Sequence, residues 1–152
     1  IARSMNIDLS YVEDIKDACQ LHDLGKIGVN DNVLTKPGAL TQEEFNEIKL
    51  HSEKGAQILE PLNFLENVIN IVKHHHERWD GKGYPDGLKD EFIPLGARIM
   101  AVADSYDAMV SARPYRKVGL SKQEAIEEIK KNSGTQFDPK VVEAFLKVVD
   151  KF

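Results

Sequence analysis

Leu65 to Pro85 reads LENVINIVKHHHERWDGKGYP. Leu65, Val68, Ile69 and Val72 recur at i, i+3, i+4 and i+7, the pattern of a helix with one face on a core. Carried past Val72, that stripe meets His75 and His76, whereas His74 groups with Asn67, Asn70 and Ile71 on a more polar face. A single inward histidine is ordinarily a satisfied core residue. Two in succession at a helix end, ahead of a loop rich in glycine and closed by proline, favour a metal cradle.

Composition sets the frame for that site. A chain of 152 residues suits one soluble domain that buries most of its apolar surface. Nothing resembles a membrane span or a signal peptide, and a single cysteine, Cys19, excludes an internal disulfide and fits a reducing, cytoplasmic setting. Cys19 stands three residues before His22, and a small buried hydrophobe is expected there rather than a sulfur ligand. The net charge of -5 argues against a binder of polymeric nucleic acid but leaves room for a small phosphate ligand in a local basic pocket.

Upstream, Ile1 to Asn6 reads as the tail of a helix. Ser10 and Glu13 form a capping box for the next one, with Ile15, Ala18, Cys19 and His22 on one face. His22-Asp23 ends that helix, Gly25 suits its C-terminal cap, and Lys26 follows. A histidine beside an aspartate offers one nitrogen ligand and one carboxylate able to bridge two metals. Asn30 to Leu40 reads as loop. Thr41 and Glu44 cap a helix running to about Leu59, with Phe45, Ile48 and His51 on its buried side.

Downstream, Pro94 is expected at the first position of a helix whose stripe is Leu95, Ile99, Val102, Ala103 and Tyr106. Asp104 lies off that stripe, beside small residues, and needs a cation: either Arg98 or a metal. Arg113-Pro114-Tyr115-Arg116-Lys117 is either a solvated loop or a phosphate grip. Ser121 with Glu124, and Asp138 with Pro139, open two scaffold helices, the last turning Val142, Phe145, Leu146 and Val149 inward. No alternating strand of useful length is present, so the expected fold class is all-α, a helical bundle with a metal centre in its core.

These residues resemble a known family. His22-Asp23 with Gly25-Lys26, then His51, then His75-His76-Glu77, Asp80-Gly81 and Gly83-Tyr84-Pro85, are similar to the HD-GYP domain. That branch of the HD phosphohydrolases degrades the bacterial messenger cyclic di-GMP. The match continues through Asp104, Tyr106-Asp107-Ala108, Arg113-Pro114-Tyr115-Arg116 and Phe137-Asp138-Pro139, and so covers nearly the whole chain.

The resemblance implies two or three divalent metal ions, iron or manganese, held by His22, Asp23, His51, His75, His76 and Asp104, with Asp23 bridging. It implies that Asp23 and Lys26 serve catalysis and that Lys26, Tyr84, Asp107, Arg113 and Arg116 contact the substrate, cyclic di-GMP or a related cyclic dinucleotide. His74 has no family role, and Trp79 is assigned to packing. A bridging hydroxide would open the ring to linear pGpG, and a second cut to GMP stays open. Two other readings stay open: a non-catalytic cyclic di-GMP-binding or protein-interaction module, and an HD hydrolase of another nucleotide. Receiver, sensor or diguanylate cyclase domains are the partners such domains imply. The family carries one more histidine ligand on a preceding helix, and residues 1–6 hold none, so the sequence is expected to be a piece of a longer chain lacking that helix.

Overall fold

Asp8, rather than Ser10, opens the first long helix, α1 (Leu9–Leu21): its carboxylate accepts the Ser10 backbone N–H at 2.9 Å. Aspartate and serine cap equally well, so local sequence alone could not choose between them. The computed structural model describes residues 1–111 and 119–151. Arg113 and Arg116 therefore lie outside the described residues.

Ile1 to Asn6, expected as a helix tail, makes a 3₁₀ turn over Ala2–Met5. After α1 the chain turns through a second 3₁₀ segment, Leu24–Gly28, and a four-residue helix, α2 (Asp31–Leu34), which lies where loop was expected and is capped by the Asn30 side chain. The capping box of Thr41 and Glu44 is formed in full and starts α3 (Gln42–Lys49). The helix expected to reach Leu59 instead breaks at Leu50, where ψ opens to -12°, and resumes as α4 (His51–Leu59). The break gives His51 the first position of a new helix. Phe45 is exposed, contrary to its expected place in the core.

Helix α5 (Glu66–His74) packs against α4, α1 and α6 (Leu95–Val110). Val68, Ile71 and Val72 are fully buried, whereas Leu65 and Ile69 only border the core. Ile71, assigned to the polar face, is thus central: a helix touched on three sides buries more than a single stripe. Each such side chain contributes roughly 1.5–3 kcal/mol relative to exposure. Pro94 is the N-cap of α6, one position earlier than expected. α7 (Lys122–Lys131), opened by the Ser121–Glu124 capping box, and α8 (Pro139–Leu146), capped by Asp138, close the bundle. No strand occurs among the described residues, and the fold is all-α.

Candidate metal centre

Three separate chain segments deliver the histidines. His22 caps the end of α1, His51 starts α4, and His75 with His76 follows the last turn of α5. Close approach of the first two segments requires glycine. A Cβ on Gly25 would lie 1.9 Å from the His51 carbonyl oxygen and 2.5 Å from the Gly55 nitrogen. Gly25 serves that contact inside the 3₁₀ segment rather than the C-terminal cap expected for it. Its backbone draws His22, Asp23 and Lys26 against α4.

The ring nitrogens show a consistent division of labour. Nδ1 of His22 faces the Cys19 carbonyl at 2.8 Å, Nδ1 of His51 the Ile48 carbonyl at 2.7 Å, and Nδ1 of His75 the Val72 carbonyl at 2.6 Å. A carbonyl only accepts, so each Nδ1 carries the proton and each Nε2 keeps its lone pair. Those lone pairs converge: Nε2 of His51 and His75 stand 3.4 Å apart. Neither nitrogen has a proton left to give the other, so the pair is repulsive without a cation near both. Ligand atoms of His51, His75 and His76 all lie within 4.8 Å of one another. Imidazoles held from behind by backbone acceptors are what a divalent metal requires of its surroundings.

The carboxylates complete the ring. Asp23 Oδ1 lies 3.7 Å from His22 Nε2 and 3.8 Å from His51 Nε2, while its Oδ2 accepts from Lys26 Nζ at 2.6 Å. Asp104 Oδ1 is 4.0 Å from His22 Nε2. The alternative partner for Asp104 is already engaged, because Arg98 Nη1 donates to Asp138 at 2.7 Å. His51, His75 and His76 thus form the compact group, and His22, Asp23 and Asp104 adjoin it through the distances just given.

Burial keeps His51, His75 and His76 neutral. Burial, reinforced by the neighbouring rings, lowers His75 to about 3 and His76 to about 2, and burial also lowers His51. Burial alone would raise the Asp23 carboxyl, but the hydrogen bond from Lys26 and the charge of its ammonium outweigh it and hold Asp23 below the usual range. The cluster thus presents neutral nitrogens and ionised oxygen at neutral pH, a donor set that suits iron, manganese or zinc.

His74 does something else. It is buried, not on a polar face, and both its nitrogens are spoken for: Nδ1 faces the Asn70 carbonyl at 2.8 Å and Nε2 faces Asp86 at 3.0 Å. Asp86 also accepts from Lys73 at 2.7 Å, and its backbone N–H donates to Glu77 Oε1 at 2.8 Å. This network, which the sequence did not reveal, ties the loop carrying Gly83-Tyr84-Pro85 to α5. The acidic residue just after that loop was its one visible sign. Gly83 lies against the backbone of His76 to Arg78, where a Cβ would meet the Arg78 nitrogen at 2.4 Å. Tyr84 stacks on His76 with ring centroids 4.8 Å apart, and burial with the charges of Asp104 and Asp23 raises its hydroxyl pKa.

Of the remaining expected residues, Asp107 is exposed and accepts from Ser111 Oγ at 3.2 Å. Cys19 is exposed rather than buried and contributes only its carbonyl to His22. The Arg98 guanidinium lies 5.8 Å from the Trp79 ring centroid, consistent with packing there.

An all-helical scaffold with a three-histidine cluster able to hold a metal ion, and a histidine–aspartate pair beside it, defines a protein of the histidine–aspartate kind. The chain belongs to the HD domain family, whose profile matches residues 1–141, and to its HD-GYP branch. It is 49% identical over 150 residues to a cyclic di-GMP phosphodiesterase of Thermotoga maritima, covering 97% of this chain and 40% of that protein. Identity to a cyclic di-GMP phosphodiesterase of Vibrio cholerae is 48% over 150 residues, covering 94% of this chain and 30% of that protein. A 3'3'-cGAMP-specific phosphodiesterase of the same organism is 38% identical over 145 residues, covering 94% and 28%. The crystal structure of a cyclic GMP-AMP-specific phosphodiesterase of V. cholerae superposes with a TM-score of 0.72 at 23% identity, over 98% of this chain and 41% of that one, and shares the fold. The chain thus spans less than half the length of these relatives. No helix among the described residues is long and apolar enough to cross a membrane.

Proposed function

We propose that this domain is a metal-dependent phosphodiesterase that opens cyclic di-GMP to linear pGpG, with GMP the product of any second cut. The observation that carries the reading is the facing pair of proton-free Nε2 atoms on His51 and His75. His22, Asp23, His51, His75, His76 and Asp104 would hold the metal, two or three iron or manganese ions. Such ions supply a hydroxide at neutral pH and neutralise the phosphodiester it attacks.

The protein's own side chains do the rest. Asp23 turns Oδ1 toward His22 and His51 and leaves Oδ2 to Lys26. Lys26 thereby fixes the carboxylate and keeps an ammonium where charge grows on the phosphoryl oxygens. Tyr84, braced on His76, forms a wall that orients the ligand. Hydrolysis adds water across one P–O3' bond, and the released 3' oxygen takes a proton. Arg113 and Arg116, outside the described residues, would grip the distal nucleotide, and Asp107 would contact it from the end of α6. Receiver or sensor domains would regulate the site in a full-length protein.

Greater identity to the cyclic di-GMP enzymes than to the cGAMP enzyme favours the symmetric dinucleotide. The test is a substrate panel of cyclic di-GMP, 3'3'-cGAMP and linear pGpG with iron or manganese supplied. Fastest cleavage of cyclic di-GMP is expected. Tight binding with no cleavage by the metal-loaded protein would instead identify a binding module.

A further inference from the structure

The aromatic wall of the metal centre extends outward through a lysine. Tyr84 stacks on His76, Lys49 Nζ stands 5.4 Å from the Tyr84 centroid, and the same ammonium lies 4.7 Å from the Phe45 centroid. His76, Tyr84, Lys49 and Phe45 therefore form one column from the buried histidines to the surface. Lys49 is the last residue of α3, fixed by the Leu50 break that also sets His51.

What the ammonium lacks is a counter-ion. Lys26 pairs with Asp23, Lys36 with Glu44 and Lys54 with the Gly28 carbonyl, but among the described residues no carboxylate lies within ion-pair distance of Lys49. Two aromatic faces hold it in place at modest energy and consume none of its hydrogen bonds. Its three donors stay free for a ligand.

We propose that Lys49 binds the second, non-reacting phosphate of the cyclic dinucleotide while the scissile phosphate sits at the histidines beside Lys26. This rests on the phosphodiesterase reading above. A cyclic dinucleotide carries two anionic phosphodiesters on one small ring, so a site that places one against the metal must match the other with a cation nearby. Lys49, one ring beyond His76, answers that need. Tyr84 separates the two positions, so the lysine selects for a doubly charged ligand rather than for any phosphodiester.

The test uses the metal-loaded wild type with Lys49→Met, which keeps the apolar stem, and Lys49→Arg, which keeps the charge. Steady-state kinetics are measured on cyclic di-GMP and on bis(p-nitrophenyl) phosphate, which has one phosphodiester. Lys49→Met is expected to raise KM for cyclic di-GMP about tenfold or more, the size of one charge-assisted hydrogen bond, with kcat little changed. Its kinetics on bis(p-nitrophenyl) phosphate and its metal content should match wild type, and Lys49→Arg should recover most of the loss. Equal losses on both substrates, or an unchanged KM for cyclic di-GMP, would overturn the assignment while leaving the phosphodiesterase reading intact. A wild type that cleaves bis(p-nitrophenyl) phosphate but neither binds nor cleaves a cyclic dinucleotide would overturn both.

Discussion

His51 and His75 face each other through Nε2 atoms 3.4 Å apart, and each has its only ring proton committed to a backbone carbonyl behind it. Two facing lone pairs make a cation the natural third member. Added manganese should therefore raise the melting temperature of the chelator-treated protein. Ligand at about a hundred times its dissociation constant stabilises by about 2.7 kcal/mol. In His51→Ala or His75→Ala the rise should vanish, and differential scanning calorimetry with and without metal checks it.

The pH dependence of the metal-free protein follows from the same rings. His75 near 3 and His76 near 2 lie below the ordinary value of 6.5 that they regain on unfolding. Below about pH 6.5 the unfolded chain thus binds more protons than the folded one, so stability is full above that pH and falls as the pH drops toward the folded values. Urea midpoints measured from about pH 7.5 down to about pH 5 should decline steadily. A flat profile would mean that the two rings are not buried as neutral imidazoles.

Gly25→Ala tests the contact that brings His22 and Asp23 to α4. Its methyl would overlap the His51 carbonyl, an unyielding backbone atom. A loss of about 1–3 kcal/mol is expected from overpacking, together with weaker metal retention. Chemical denaturation and metal analysis on one preparation report both, and loss of stability alone would detach this glycine from the site.

Arg98 and Asp138 make a structural pair, Asp138 being almost fully buried. Arg98→Ala strands that carboxylate and should cost about 3–5 kcal/mol. Asp138 also caps α8, so Asp138→Asn, which retains a cap, should cost less. Metal content per folded molecule should be unchanged in both, as measured after removing unfolded material.

Much of this was legible because it is local. The capping boxes at Thr41 and Ser121 and the Asp138-Pro139 start depend on residues within one turn, and the inward placement of His51 and His75 followed from helical phase. What escaped depends on distant partners. Asp104 faces His22 because Arg98 is taken by a residue forty positions away, which periodicity cannot reveal. His74 is buried because of what surrounds it, the loop carboxylate of Asp86 standing against its ring. The Leu50 break arises where α3 must hand over to a helix already tied to Gly25, with no glycine or proline to announce it.

The central claim is that these inward nitrogens and carboxylates hold the divalent ions that cut a cyclic dinucleotide. Its most direct test is anaerobic titration of iron or manganese into the chelator-stripped chain, with bound metal and pGpG release followed on the same samples. Turnover should rise in step with filling of at least two sites and be absent from Asp23→Ala, which should bind less metal. Cleavage of cyclic di-GMP by metal-free protein, or full metal binding and turnover by Asp23→Ala, would contradict it.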